Sequence, residues 1–170
     1  RLYVDYKNCD TVQAVPYDMN ISGYHVGAVN KLRLWSAKAP VDFDMHLFAQ
    51  GEYVKSLENK SLAESICKVL YPADHHIEGK MLRLKQQYFF VSASIQSIIK
   101  THLRDYGTLD NLPDKVAIHI NDTHPTLCIP ELMRLLLDEH GYGWDEAWSI
   151  VRRTISYTNH TVMAEALEKW

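Results

Sequence analysis

The pattern of apolar and polar positions divides the chain into three stretches, residues 1–44, 45–106 and 115–170. The first is rich in Val, Tyr and Thr and is interrupted by Pro and Gly, which favours strands and turns over helices. Within it, residues 31–36 alternate polar and apolar side chains. This alternation predicts a half-buried strand.

The middle stretch, residues 45–106, has the spacing of helices around one polar loop. Residues 59–61 are a candidate N-terminal cap for a helix over 62–70. A loop over 71–79 follows, bracketed by proline and glycine. Residues 81–106 contain neither Gly nor Pro and repeat apolar side chains every three to five positions, so they predict a long and largely buried helix.

The third stretch has the order of elements that is typical of a parallel crossover connection. Its pattern predicts a strand over 115–120, helices over 126–140 and 144–153, a strand over 154–158 and an amphipathic helix from 163 to 170. The sequence therefore predicts an α/β fold with parallel strands and flanking helices, in one domain over 1–170.

Composition and charge exclude several classes of protein. The chain has 170 residues, of which 46% are hydrophobic and 23% are charged, so it has enough apolar side chains for a globular core. The net charge is −3, without a run of five or more like charges, and no long apolar segment is present. We therefore expect neither nucleic acid nor a membrane as a partner. Three scattered cysteines suit a reducing cytoplasm. Because the chain lacks an initiator Met and stops inside a helical pattern, we expect a piece of a longer protein.

Polar side chains follow both predicted strands of the third stretch. Asp122 and His124 lie in the segment Asn-Asp-Thr-His-Pro after the first strand, and Asn159 and His160 follow the second. Because the carboxyl ends of parallel strands meet at one edge of a sheet, we expect both clusters to face a common crevice. Side chains that donate and accept hydrogen bonds in fixed directions suit a ligand rich in hydroxyl groups.

Each of these residues also has a purely structural interpretation. Asp122 and Thr123 are residue types that cap the following helix, and His160 fits a half-buried histidine whose hydrogen bonds are satisfied internally. The functional hypothesis depends on the matched positions of the two clusters.

The loop over 71–79 offers further candidates. Asp74, His75 and His76 are possible metal ligands, but no ligand spacing supports a metal site, and we interpret the two histidines as solvated loop residues. Arg83 is within reach of Asp74 or Asp122, with an ordinary surface ion pair as the alternative. Tyr71 presents a ring that is suited to stacking on a sugar.

Four stretches carry a resemblance to the α-glucan phosphorylases. They are residues 33–38, 78–86, 121–125 with 129–133, and 157–161 with 165–168, and together they cover essentially the whole chain in order. The resemblance implies a two-domain glycosyltransferase-B fold, of which this chain is part of the N-terminal Rossmann-like domain. It also implies a pyridoxal 5'-phosphate cofactor whose lysine lies outside this chain, so no cofactor-binding residue is expected here.

The resemblance assigns roles to individual residues. His160 corresponds to a histidine that contacts the glucosyl hydroxymethyl group and turns its backbone carbonyl toward the developing oxocarbenium charge. Asp122 and His124 correspond to a pair that organises hydrogen bonds at the cleavage point and the adjoining acceptor subsite. We therefore expect His160 and Asp122 to be catalytic and His124 to bind substrate.

The remaining expected substrate contacts follow from the same resemblance. Tyr71 corresponds to an aromatic residue that lines the oligosaccharide path. Asp74 and His75 match a gate loop over 71–79, with Arg83 beside it, and Thr161 borders the glucosyl pocket.

The implied reaction of the full-length protein is reversible phosphorolysis. Orthophosphate cleaves the terminal α-1,4-linked glucosyl unit of an α-glucan or maltodextrin and yields glucose 1-phosphate. The resemblance further implies a cytoplasmic homodimer, and we expect the 170-residue chain alone to be inactive. The alternative is a glucan-binding or oligomerisation module without catalytic activity.

Two departures from the animal enzymes favour a bacterial enzyme with simpler allosteric control. Residues 75–77 read His-His-Ile, where the animal enzymes have Asn and an aromatic pair, which argues against their purine-type inhibitor site. The connection from His102 to Lys115 is also shorter.

Overall fold

A computed structural model describes residues 4–7 and 9–164 of the chain. The fold is α/β, with two small sheets and six α-helices within the described residues. It forms two compact units. We call Tyr6–Gln86 the hairpin unit, and Gln87–Trp170 with Arg1–Asp5 the core unit, and we describe each by itself.

The hairpin unit begins with two ten-residue antiparallel strands, β1 (Gln13–Ser22) and β2 (Val29–Lys38). Tyr17 lies opposite Leu34, and Asp18 lies opposite Arg33, so the apolar and polar pairs fall on opposite faces. The Arg33 guanidinium donates to both Asp18 oxygens at 2.6 and 2.7 Å. This hydrogen bonding lowers the pKa of Asp18 to about 2.

The strand predicted over 31–36 is present, but the prediction that it is half-buried is wrong. Leu32 and Leu34 are 43% and 57% exposed. The alternation does place both side chains on one face of the hairpin, and that face is open to solvent. Alternation reports two different faces of a strand, and it does not report whether another layer covers the apolar one.

Two helices follow in the hairpin unit, α1 (Met45–Ala49) and α2 (Lys55–Ser65). The Asp44 carboxylate caps α1 by accepting from the backbone N–H groups of His46 and Leu47. Residues 59–61 lie inside α2, so the predicted cap at these positions is wrong, and the helix ends five residues before the predicted end at 70. Lys, Glu and Leu around Asn59 favour helix strongly enough to continue through it.

The long helix α3 (Ile77–Tyr106) has 30 residues and begins four residues earlier than predicted. Gly79 therefore lies in its first turn and does not close the loop, which ends at His76. The prediction that this helix is largely buried is only partly confirmed. Val91 and Ile95 are each 2% exposed, whereas Tyr88 is 44% exposed, because the apolar residues do not all share one stripe.

The core unit contains the predicted parallel pair. Strands β3 (Ile118–Asn121) and β4 (Ile155–Thr158) are in register from Ile118 opposite Ile155 to Asn121 opposite Thr158. The strand predicted from 115 starts later, because residues up to Lys115 form the short helix α4 (Leu112–Lys115) with Pro113 near its start.

The crossover between β3 and β4 is made of two helical segments. The first is α5 (Cys128–Arg134), which continues as a π-helical turn (Leu135–Glu139), so the helix predicted over 126–140 begins later and changes its winding. Gly141 then adopts φ 76°, which ends the helix. The second is α6 (Trp144–Thr154), and the helix predicted from 163 to 170 lies largely outside the described residues.

One hydrophobic cluster fills the core unit between α3, the crossover and the strands. Its largest fully buried side chains are Ile95, Leu109, Leu112, Leu132, Leu135, Leu136 and Val151. Within the described residues, no helix has the length and apolar character needed to cross a membrane.

Candidate functional site

The two parallel strands of the core unit end side by side, and a polar loop leaves each end. The backbone N–H of Asp122 donates to the carbonyl of Thr158 at 2.7 Å, which joins the start of the first loop to the end of β4. The predicted convergence of the two polar clusters at one sheet edge is therefore confirmed. We call residues 121–126 and 157–161 together the strand-edge site.

Asp122 has an unusual backbone conformation at this edge. Its φ is 63°, in the left-handed region that few non-glycine residues adopt, and its exposed fraction is 9%. Its Oδ1 accepts a hydrogen bond from the N–H of Thr123 at 2.7 Å. Strained and buried polar residues of this kind are concentrated at functional sites.

The interpretation of Asp122 and Thr123 as a helix cap is wrong. The N-cap position of α5 is Leu127, five residues beyond Asp122, and no side-chain hydrogen bond caps that helix. Thr123 instead starts a turn, in which its carbonyl accepts from the backbone N–H of Thr126 at 3.2 Å and from its hydroxyl at 2.7 Å. His124 lies inside this turn and is half-buried. The Asp122 carboxylate is thus free of a capping role.

The second loop is closed around His160 by the side chain of Asn159. The Asn159 Nδ2 donates to the carbonyl of Thr161 at 2.6 Å, and its Oδ1 accepts from the N–H of Thr161 at 3.2 Å. The Tyr157 hydroxyl also donates to this oxygen at 3.3 Å. His160 is exposed at the apex, so its interpretation as a half-buried histidine is wrong, while Thr161 is half-buried.

His119 was not among the residues predicted for this site, yet it contacts the end of β4. Its Nε2 is hydrogen-bonded to Thr158 Oγ1, and its Nδ1 lies 3.4 Å from Ser156 Oγ. The signal was available in the sequence, because both strands alternate polar residues with Ile or Tyr. The parallel register then places His119 and Ser156 opposite each other.

A buried carboxylate on α5 supports the same unit and was also missed. Glu131 is 3% exposed and accepts from Arg134 at 2.8 and 3.0 Å, from Ser92 at 2.7 Å and from Tyr88 at 3.1 Å. Burial raises the pKa of Glu131, but the hydrogen bonds from Arg134 and Ser92 outweigh it and leave the pKa below its ordinary value. The ion pair lies within α5, and the hydrogen bonds from Tyr88 and Ser92 tie α5 to α3.

The pKa of the Cys128 thiol, at the start of α5, is shifted in the opposite direction to that of Glu131. Burial raises its pKa to about 11, because no cation compensates for the loss of water. The thiol is therefore protonated at neutral pH and is a packing group and not a nucleophile.

The other predicted site residues lie in the hairpin unit. Arg83 donates to Asp74 Oδ2 at 3.2 Å, and these side chains are 15% and 22% exposed. The guanidinium carbon of Arg83 also lies 5.4 Å from the ring centroid of Tyr71, a cation–π contact. The predicted contact between Arg83 and Asp74 is confirmed. Tyr71 itself has φ 56° and is 59% exposed.

The two adjacent histidines of this loop differ in structure. His76 Nδ1 accepts from the N–H of Gly79 at 2.9 Å and thus caps α3, while its side chain stays 48% exposed, as expected for a solvated loop residue. His75 is exposed, and its ring centroid lies 4.8 Å from that of His76 in an edge-on contact. The loop folds tightly onto the helix, because a Cβ on Gly79 would lie 1.7 Å from the carbonyl oxygen of Ala73.

A metal centre is not evident within residues 4–7 and 9–164, where no three His, Cys, Asp or Glu side chains form a potential ligand group. Lysines suited to a Schiff base are also not found there. Nine of the lysines in this part of the chain are exposed and Lys60 is half-buried, whereas such a lysine is normally desolvated.

Comparison with known proteins gives a consistent result over the whole chain. The family model described as "Carbohydrate phosphorylase" matches residues 1–170. The chain is 53% identical to the alpha-1,4 glucan phosphorylase L isozyme of Ipomoea batatas over 165 residues, which is 95% of this chain and 17% of that protein.

Two further relatives come from distant groups of organisms. The identity is 50% to the glycogen phosphorylase of Synechocystis, over 94% of this chain and 19% of that protein. It is also 50% to the brain form of glycogen phosphorylase of Bos taurus, over 98% of this chain and 21% of that protein. The chain thus spans about a fifth of the length of these relatives.

Proposed function

This chain belongs to the carbohydrate phosphorylase family, and from this premise we propose that the full-length protein is an α-glucan phosphorylase. It uses orthophosphate to cleave terminal α-1,4-linked glucosyl units and releases glucose 1-phosphate. The observation that carries the proposal is the strand-edge site, where Asp122 and the loop of His160 leave adjacent ends of two parallel strands.

The chemistry of this edge suits a glucosyl unit. A sugar ring offers hydroxyl groups and little charge, and it is oriented by donors and acceptors in fixed directions. The exposed imidazole of His160 binds the hydroxymethyl group, and its backbone carbonyl stabilises the positive charge that develops on the ring during cleavage. The buried carboxylate of Asp122 orders the hydrogen bonds at the cleavage point, with His124 toward the acceptor sugar and Thr161 at the border of the pocket.

The loop of the hairpin unit supplies the remaining substrate contacts in this proposal. Asp74 and His75 form a gate beside the glucosyl unit, and Arg83 holds this gate through Asp74. The half of the Tyr71 ring that remains exposed lines the path of the oligosaccharide. The ion pair of Arg83 with Asp74 and its cation–π contact with Tyr71 support these roles, because they attach the loop to α3.

The wider organisation of the protein is also part of the proposal. The parallel pair β3 and β4 with its helical crossover supports an origin in the N-terminal Rossmann-like domain of a glycosyltransferase-B fold. In this scheme residues 1–44 form its strand and turn region, 45–106 its helices with the gate loop, and 115–170 the crossover region. We further propose a cytoplasmic homodimer of bacterial origin.

The cofactor of this proposal is pyridoxal 5'-phosphate, held by a lysine outside the chain. The described residues do not fit it themselves, because none of their lysines is buried. This chain therefore binds and orients the glucan, and the phosphate chemistry belongs to other parts of the protein. We expect the 170-residue chain alone to be inactive.

The test measures release of glucose 1-phosphate from maltoheptaose and orthophosphate by the full-length protein. We expect activity in the parent and a loss of most of that activity for His160→Ala, because the variant removes the imidazole that binds the hydroxymethyl group, although it keeps the backbone carbonyl. His140→Ala is the matched control, since it removes an exposed histidine of the same unit. A full-length protein that binds maltoheptaose without releasing glucose 1-phosphate would support a glucan-binding module instead.

A further inference from the structure

The side chain of Asn159 joins the two sides of His160. Its Nδ2 donates to the carbonyl of Thr161 at 2.6 Å, and its Oδ1 accepts from the N–H of the same residue at 3.2 Å. The Tyr157 hydroxyl approaches this oxygen at 3.3 Å. One amide group thus contacts both backbone groups of the residue after His160 and the ring hydroxyl of the residue two positions before Asn159.

His160 itself has no comparable anchor. It is exposed, and its side chain forms no hydrogen bond to another residue of the described ranges 4–7 and 9–164. The direction of its carbonyl and the point from which its ring extends are therefore set by the backbone of the loop. Exposed polar loops lose considerable conformational entropy when one conformation is fixed, so a side chain that closes the loop holds it ready for its ligand.

We propose that Asn159 is a positioning residue, which fixes the main chain around His160 so that the imidazole and the carbonyl of His160 meet the glucosyl unit in productive geometry. This inference rests on the proposed function. Asn159 acts through His160 and is not itself in contact with the reacting atoms. Its amide suits the task because it carries a donor and an acceptor on one rigid plane.

The chemistry of the amide predicts a graded series of variants. Asn159→Ala removes all three hydrogen bonds. Asn159→Asp keeps the size and the acceptor, but it places a carboxylate oxygen against the carbonyl oxygen of Thr161, where the amide donated. Tyr157→Phe removes only the longest of the three contacts. A positioning role therefore predicts that Tyr157→Phe keeps most of the activity, and that Asn159→Asp and Asn159→Ala both lose more of it.

The experiment measures kcat and KM for maltoheptaose and for orthophosphate in the full-length protein. We expect Asn159→Ala to lower kcat about tenfold, since misplacement by a fraction of an ångström affects the transition state more than the ground state. Both KM values and the thermal midpoint should stay close to the parent. Asn20→Ala, an exposed asparagine of β1, is the control and should retain parental kcat.

The outcomes separate this inference from the function on which it rests. An inactive parent overturns the proposed function, and the role of Asn159 falls with it. An active parent with an unimpaired Asn159→Ala variant overturns the inference alone. A variant with a lower kcat, a higher KM and a lower thermal midpoint also overturns it, because Asn159 would then be a structural residue.

Discussion

The two units of the chain are built in different ways. The core unit has a continuous cluster of buried Leu, Ile and Val side chains, whereas the buried apolar residues of the hairpin unit are Ala37, Ala39, Ala63 and Ile66. The hairpin unit therefore depends on local contacts, such as the Arg33–Asp18 pair and the cap of α3 by His76. Burial of large apolar side chains contributes most to stability, so the two units should differ in rigidity.

This difference extends to the residues proposed to bind substrate. Asp122 and the loop of His160 leave strands that are backed by the core cluster, and a backbone hydrogen bond joins them. Asp74 and Tyr71 both contact Arg83 of α3. The proposed gate would thus belong to the less stable unit, as is usual for elements that move.

The largest expected loss of stability comes from a mutation that creates a cavity in the core unit. Leu136 is 0% exposed, so Leu136→Ala should destabilise the chain by about 4 kcal/mol. Ile66→Ala in the hairpin unit should cost about 2 kcal/mol or less, because its surroundings are smaller and closer to solvent. Urea unfolding of the 170-residue chain gives both values. Equal losses would contradict the contrast between the units.

The second effect concerns the buried carboxylate of Glu131. Glu131→Gln should destabilise the core unit by about 3 kcal/mol at pH 7, because the Arg134 charge then loses its buried partner and keeps the exposed Glu139. The folded pKa of Glu131 lies below its ordinary value of 4.5, so its contribution is complete above that pH. It is lost as the pH falls through the folded pKa.

The difference in stability between parent and Glu131→Gln should therefore shrink in urea titrations below pH 4.5. Glu139→Gln is the control, since Glu139 also binds Arg134 but its side chain is 53% exposed. It should cost less than about 1 kcal/mol. A Glu131 effect that is independent of pH would contradict the ion-pair explanation.

The third effect is local to the loop before α3. Gly79→Ala should cost about 2 kcal/mol, because the added Cβ would lie 1.7 Å from the Ala73 carbonyl oxygen and the loop must move. Gly27→Ala is the control, since nothing lies within 4 Å of its Cβ position. Amide hydrogen exchange should increase over residues 73–80 and stay unchanged in β3 and β4. A change that spreads to β3 would show that the loop and the strands unfold together.

The sequence predicted most elements, because their periodicity is local information. The parallel pair and the long helix α3 were predicted, but their observed ends differ from the predicted ones by a few residues. Pro113 favours the start of a short helix before β3, and His76 caps α3 ahead of Gly79. Burial was predicted less well, since the exposure of Leu34 depends on what covers the hairpin face and not on its own alternation.

The part of the candidate site that depends only on the order and direction of the strands was predictable from the sequence. Two clusters after two parallel strands must meet, and the contact between Asp122 and Thr158 follows from that. Contacts that depend on side-chain geometry were missed. The approach of His119 to Thr158 needs the strand register, and the burial of Glu131 needs the packing of α5 on α3. The alternation of polar residues in β3 points to His119 as a candidate, but its partner cannot be read from spacing along the chain, and neither can the burial of Glu131.

Contact between the strand-edge site and the glucan is measurable by amide hydrogen exchange of the full-length protein. Exchange is measured with orthophosphate, with and without saturating maltoheptaose. We expect slower exchange over residues 121–126 and 157–161 in the presence of the sugar, and no change in β1 and β2. Unchanged exchange at both loops, or protection confined to the hairpin, would contradict it.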